Sequence, residues 1–213
     1  MVVNLDYAIA PGATYPGPVQ QVLSALGFLA RDSAALGLPE TRLVLAGDSA
    51  GAQIAAQTAA VIANPEYAQR VGVSPDIGSA RIVGALLYCG IYDISEIGRN
   101  GGLLGWFVGS AGWAYSGKRD WRGAPHFQTL SVTPHLTRDF PPAFVSAGNA
   151  DPLGPQSVAL ARKLDQAGVA VTTLFFAADH RPPLGHEYQF DLDTEAGQQA
   201  LDQSAAWLRR LPR

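Results

Sequence analysis

One cysteine stands in 213 residues, so no internal disulfide is available and no disulfide framework marks the chain as secreted. That residue, Cys89, lies inside an apolar run, where a buried, inert thiol is expected. Charge is also scarce. Charged residues make up 15% of the chain and the net charge is −3. With no basic block, electrostatics gives no support to a nucleic-acid partner. Long apolar runs are missing too: the longest, around Ile82 to Ile91, is about half of what a membrane-spanning helix needs, which argues against integral membrane association. The opening Met1-Val2-Val3-Asn4-Leu5-Asp6 lacks the charged start and apolar stretch of a signal peptide. A cytoplasmic protein is therefore expected, of unknown oligomeric state. The single cysteine and scattered histidines have no metal-ligand spacing, and neither a phosphate loop nor a dinucleotide fingerprint is present. Neither metal nor cofactor is expected.

What the chain does have is a succession of short apolar runs ending in Gly, Asp or Ser, alternating with helical patterns. That is how an α/β fold with a mostly parallel sheet and crossover helices reads. Strands are expected at Val2–Tyr7, Arg42–Gly47, Arg81–Gly90, Phe140–Ala147 and Val169–Ala177. Helices are expected at Val19–Leu36, Ala50–Ala63, Pro155–Ala167 and Thr194–Leu211. In the first of these Val22, Leu26 and Leu29 share a face; in the last, Leu201, Ala205 and Leu208 form the apolar stripe. Between residues 91 and 139 periodicity is weak, and Trp106, Phe107, Trp113, Tyr115 and Trp121 are scattered among glycines. This stretch is expected to be a cap-like insertion over the active site, within one domain spanning 1–213. No internal repeat or linker divides the chain.

In a chain with 23 glycines a bare Gly-x-Ser-x-Gly carries little weight. Context gives weight to Gly47-Asp48-Ser49-Ala50-Gly51, which follows an apolar strand directly and opens a helix of small residues. Such a sharp strand-to-helix turn leaves the serine hydroxyl exposed above the sheet, with the Ala50 N–H aimed at the same spot. The bland alternative is a glycine-rich turn with a helix-capping serine. A serine nucleophile needs a base, and the base an orienting acid. Four histidines are available. His186 lies in a loop after the last strand and Asp151 in the loop after the strand before it, so strand ends converging on one sheet edge could bring both to Ser49. His180 competes as base and Asp93 as acid, although Asp93 also reads as a helix-starting residue. His126 and His135 fall in or beside the insertion.

These segments resemble the hormone-sensitive-lipase-like branch of the α/β-hydrolases. Gly47-Asp48-Ser49-Ala50-Gly51 is similar to its nucleophile elbow, and Val3-Asn4-Leu5-Asp6-Tyr7-Ala8-Ile9-Ala10-Pro11 to the strand and turn ahead of the helix before the elbow. Pro141-Pro142 to Leu153 resembles the segment carrying its acid, and Gly185-His186 its histidine loop. The resemblance implies hydrolysis of small to medium carboxylic esters. Ser49 would form the acyl-enzyme, His186 serve as base and then acid, and Asp151 orient it. Ala50 would be an oxyanion donor, and Trp106, Phe107 and Trp113 part of the substrate wall. It also implies a missing piece. The family's His-Gly-Gly segment, which completes the oxyanion hole, lies upstream of the part matched here, together with the first strands. An N-terminally truncated member is expected. Two alternatives stand beside the esterase: a catalytically silent binding module derived from a hydrolase, and the same triad acting on an amide or a sugar acetate.

Overall fold

The computed structural model describes residues 1–37, 42–78, 80–97 and 102–212. Four strands, β1 (Arg42–Asp48), β2 (Arg81–Tyr88), β3 (Ala143–Ala147) and β4 (Val171–Phe175), form one parallel sheet in the order β1-β2-β3-β4. Parallel neighbours need crossovers. Helix α1 (Gly17–Arg31) precedes β1, α2 (Ala50–Ala63) and α3 (Pro65–Val71) join β1 to β2, and α6 (Gly154–Gln166) joins β3 to β4. The longer β2–β3 connection holds α4 (Gly102–Ser116) and the single-turn α5 (Pro125–Gln128). Helix α7 (Glu195–Arg210) closes the chain.

Alternation of side chains along the strands supplies two cores. Leu43 and Leu45 of β1, Ala85 and Leu87 of β2, and Ala143 and Val145 of β3 face α1, α2, α3 and α6. Val44, Leu86, Tyr88 and Phe144 face the other way, under α7. The register sets the functional edge: Asp48 lies opposite Tyr88, and Tyr88 opposite Ser146. Ser49, Cys89 and the loop after Ala147 therefore emerge side by side.

The structure corrects several expectations. Val2–Tyr7 is not a strand; residues 1–9 have no regular secondary structure, and Met1, Val2, Val3, Leu5 and Ile9 are exposed. An apolar run becomes a strand only with a ladder partner, and β1 pairs with β2 alone among the described residues. The stripe of α7 is Ala196, Ala200, Ser204 and Trp207, with Leu201 and Leu208 exposed, because Trp207 turns its ring onto Phe144. Asn64 ends α2, and its side chain accepts from the Tyr67 N–H and starts α3, with Pro65 at the first helical position.

Much of the 91–139 stretch belongs to the main core rather than lying over it. Tyr92, Ile94, Trp121, Phe127, Leu130 and Val132 are buried there; positions 98–101 lie outside the described residues. Helix α4 carries no charge and exposes Trp106, Phe107 and Trp113. No described helix is long and apolar enough to cross a membrane.

Candidate active site

Ser49 sits between β1 and α2 at φ 52°, ψ −115°, a conformation rarely adopted by a residue with a Cβ. Two features hold it there. Its N–H donates to the Tyr88 carbonyl at 2.9 Å, and its own carbonyl accepts the first helical bond of α2 from Gln53. The turn also requires Gly47, because a Cβ there would collide with the backbone of Gly51. Ala50 begins α2, and first-turn N–H groups have no acceptor within their own helix. The positive end of the α2 dipole thus lies beside the serine hydroxyl.

His186 Nε2 lies 3.0 Å from Ser49 Oγ, and its Nδ1 lies 3.1 Å from both carboxylate oxygens of Asp151. A carboxylate only accepts, so Nδ1 carries the proton and Nε2 is left to accept from the serine hydroxyl. The Asp151 side chain is fully buried, whereas that of His186 is 31% exposed. Besides His186, Asp151 Oδ1 accepts from the Leu153 N–H at 2.8 Å, which fixes the carboxylate plane.

Neighbours tie the histidine loop down. Asn149 Oδ1 accepts from the Leu184 N–H at 2.8 Å, and the Ala150 N–H donates to the Leu184 carbonyl at 2.9 Å. Ser146 Oγ donates to the Leu174 carbonyl, which leaves the Tyr188 hydroxyl to donate to Ser146 Oγ at 2.6 Å. Gln189 reaches Asp48 at 2.6 Å. Sequence reasoning singled out none of Asn149, Tyr188 and Gln189. Their only signal was position, within the two loops that bear the acid and the base.

The remaining sequence candidates lie elsewhere. His180 packs its ring against Phe176, with centroids 4.9 Å apart. Asp93 accepts from the Ser95 N–H at the start of a one-turn 3₁₀ helix, Ile94–Glu96, and from the Ser131 and Thr133 hydroxyls, as a helix-starting aspartate does. His126 bonds the Val71 carbonyl, and His135 stacks on Tyr67 at 4.1 Å, where burial lowers its pKa. Trp106 and Phe107 stand 69% and 62% exposed on α4. Trp113 has Arg119 over its ring. Among the described residues no hydrogen bond or ring contact joins these three to Ser49 or His186.

Cys89, Asp151 and His186 offer ligand atoms within 4.8 Å of one another. The donor set suits hydrogen bonding better than a metal. Burial pushes the Cys89 thiol up to about 12, whereas a metal needs the thiolate, and His186 Nδ1 is already engaged by Asp151. Burial, reinforced by the neighbouring Glu187 carboxyl and opposed by the Gln189 amide, pushes the Asp48 carboxyl up to about 6.

A family model for the alpha/beta hydrolase fold matches residues 1–180. An acetyl esterase of Salmonella paratyphi B is 25% identical over 159 residues, 71% of this chain and 46% of that protein. An ethyl acetate hydrolase of Pseudomonas putida is 29% identical over 174 residues, 80% of this chain and 52% of that protein. The chain thus spans about half the length of these curated relatives. Among solved structures, esterase B from Lactobacillus rhamnosis superposes with a TM-score of 0.76 at 23% identity, covering 96% of this chain and 63% of that one. The Pyrobaculum calidifontis esterase gives 0.68 at 24% identity, covering 94% and 62%. At these identities the superpositions show the fold.

Proposed function

Since the chain belongs to the α/β-hydrolase fold family, in its hormone-sensitive-lipase-like branch, we propose that it is a serine carboxylesterase of small-molecule esters in the cytoplasm. The observation that carries this reading is the continuous run Asp151–His186–Ser49, with bonds of 3.1 and 3.0 Å. Ser49 Oγ attacks the ester carbonyl while His186 Nε2 takes its proton. Asp151 holds the ring in the tautomer this requires and stabilises the imidazolium that forms. The oxyanion is met by the Ala50 N–H and the helix dipole. The imidazolium then protonates the departing alcohol, leaving an acyl-enzyme. Water, deprotonated by His186, attacks this in turn and releases the acid.

Two relatives named for acetyl esters make short acyl chains the first substrates to try. The decisive test uses p-nitrophenyl acetate and butyrate with the wild-type chain and with Ser49→Ala, alongside a fluorophosphonate probe. A loss of about 10³-fold or more, with labelling confined to Ser49, is expected. Equal rates in both proteins with no labelling would remove the catalytic claim and favour a silent binding module.

A further inference from the structure

The one-turn 3₁₀ helix after His186, Tyr188–Phe190, carries a side chain that the steps above do not use. Gln189 is 6% exposed. Its Nε2 donates to Asp48 Oδ1 at 2.6 Å, and its Oε1 accepts from the Cys89 thiol at 3.5 Å. Asp48 immediately precedes Ser49 at the end of β1, Cys89 immediately follows β2, and Gln189 is three residues beyond His186. One amide therefore joins two strand ends to the histidine loop, around the hydroxyl and imidazole that must meet.

Chemistry fixes which way the amide points. A carboxylate only accepts, and a thiol held protonated by burial donates. The bridge thus needs a planar end group with one donor and one acceptor side. Glutamate would set a second carboxylate against Asp48, and methionine would leave Asp48 without this donor. The ionisable groups acting on Asp48 are Glu187 and His186. Those acting on Cys89 are Asp151 and Asp48. The amide is the neutral link in a crowded set of acids.

We propose that Gln189 is a positioning residue for the reaction inferred above: its amide clamps the histidine loop to the nucleophile's strand and so sets the distance from His186 Nε2 to Ser49 Oγ. The proposal rests on the esterase reading, and misplacing reacting groups by about 1 Å can cost on the order of 10² in rate.

The test is a cycle of Gln189→Glu, Asp48→Asn and the double variant, measured by kcat and KM on p-nitrophenyl acetate. Gln189→Glu is expected to lower kcat by roughly tenfold or more, with KM within about twofold. Asp48→Asn keeps an acceptor for the amide and loses at most about threefold. The double variant rebuilds the bridge with donor and acceptor exchanged: the new amide at position 48 donates to the new carboxylate at position 189. Its rate returns to within about threefold of wild type. A side chain that merely filled space would give losses that add.

An unchanged kcat in Gln189→Glu, or a double variant no faster than that single one, overturns the proposal. Should Gln189→Glu fail to fold, the double variant carries the comparison, and its failure to fold or to regain the rate is equally fatal. The ring ¹⁵N signals of His186 separate this inference from the esterase reading. If wild type neither hydrolyses esters nor labels at Ser49, that reading fails, yet the bridge still stands if Gln189→Glu moves those signals and the double variant restores them. Signals unmoved by Gln189→Glu refute it.

Discussion

Among the described residues, the non-glycines at positive φ are Ser49 at 52°, Cys89 at 54° and Glu187 at 63°, and each borders the hydroxyl–imidazole–carboxylate run. Each costs on the order of 1–3 kcal/mol and persists only where its surroundings over-determine it. Here the surroundings are the backbone bonds of Ser49 to Tyr88 and of Cys89 to Ser146, and the clamped loop around Glu187. Close approach does similar work at Gly148, where a Cβ would run into the Leu184 and Gly185 carbonyls. Gly148→Ala is therefore expected to push the histidine loop away from Asp151. It should lower kcat/KM by about 10–10² with the far-ultraviolet circular dichroism retained; an unchanged rate would show that the loop tolerates the shift. Asp48 supplies a pH-dependent counterpart. Its carboxyl titrates at about 6 in the folded chain, against an ordinary value of 3.8. Between these values the native state holds a proton that the unfolded state has released, so stability falls as pH rises through the interval. Removing the carboxyl removes that slope. The melting-temperature difference between Asp48→Asn and wild type should grow from pH 4 to pH 6 and stay flat above. A difference independent of pH would count against the raised carboxyl.

At the scale of elements, α2 shows how a helix is fixed by polar as well as apolar contacts. Gln57 is fully buried, and its Nε2 shares two hydrogens among the Tyr15 hydroxyl at 2.7 Å, the Tyr67 hydroxyl at 2.9 Å and the Thr129 carbonyl at 2.9 Å. Those partners keep a bond each without it: Tyr15 bonds Thr129 Oγ1 and Tyr67 donates to the Thr129 carbonyl. Gln57→Leu should therefore cost about 1–3 kcal/mol in urea unfolding rather than abolish folding. Helix α2 was legible to its last residue, because alanines followed by Asn64-Pro65 leave one local answer. The strands with ladder partners were legible too, and the elbow with them. The order of strand ends put Asp151 and His186 within reach of Ser49 but left His180 and Asp93 open beside them. What the sequence hid was decided by tertiary partners. The 15-residue α4 is glycine-rich and has no apolar face to detect. The α7 stripe went to Trp207 because of Phe144, and Val2–Tyr7 has no strand beside it among the described residues. Gln189 was invisible for the same reason, since its partners are 141 and 100 residues away in sequence.

At the scale of the molecule, the apolar surface is unevenly distributed. Trp106 and Trp113, seven residues apart, lie on one side of α4 and are 69% and 51% exposed, with Phe107 adjacent at 62%. Val2 and Ile9, near the N-terminus, are 86% and 74% exposed, and β1 has a second edge unpaired among the described residues. Exposed apolar patches and open strand edges both favour association. The protein is accordingly expected to self-associate as its concentration rises into the micromolar range, through α4. Trp106→Glu with Phe107→Glu tests this without touching the cores, since both side chains project into solvent. Sedimentation velocity should shift toward the monomer and dye binding to apolar surface should fall, with the melting temperature moving by no more than about 2 °C, as for surface substitutions generally. If the double variant sediments like wild type at every concentration, α4 is not the contact, and the open edge of β1 becomes the surface to block.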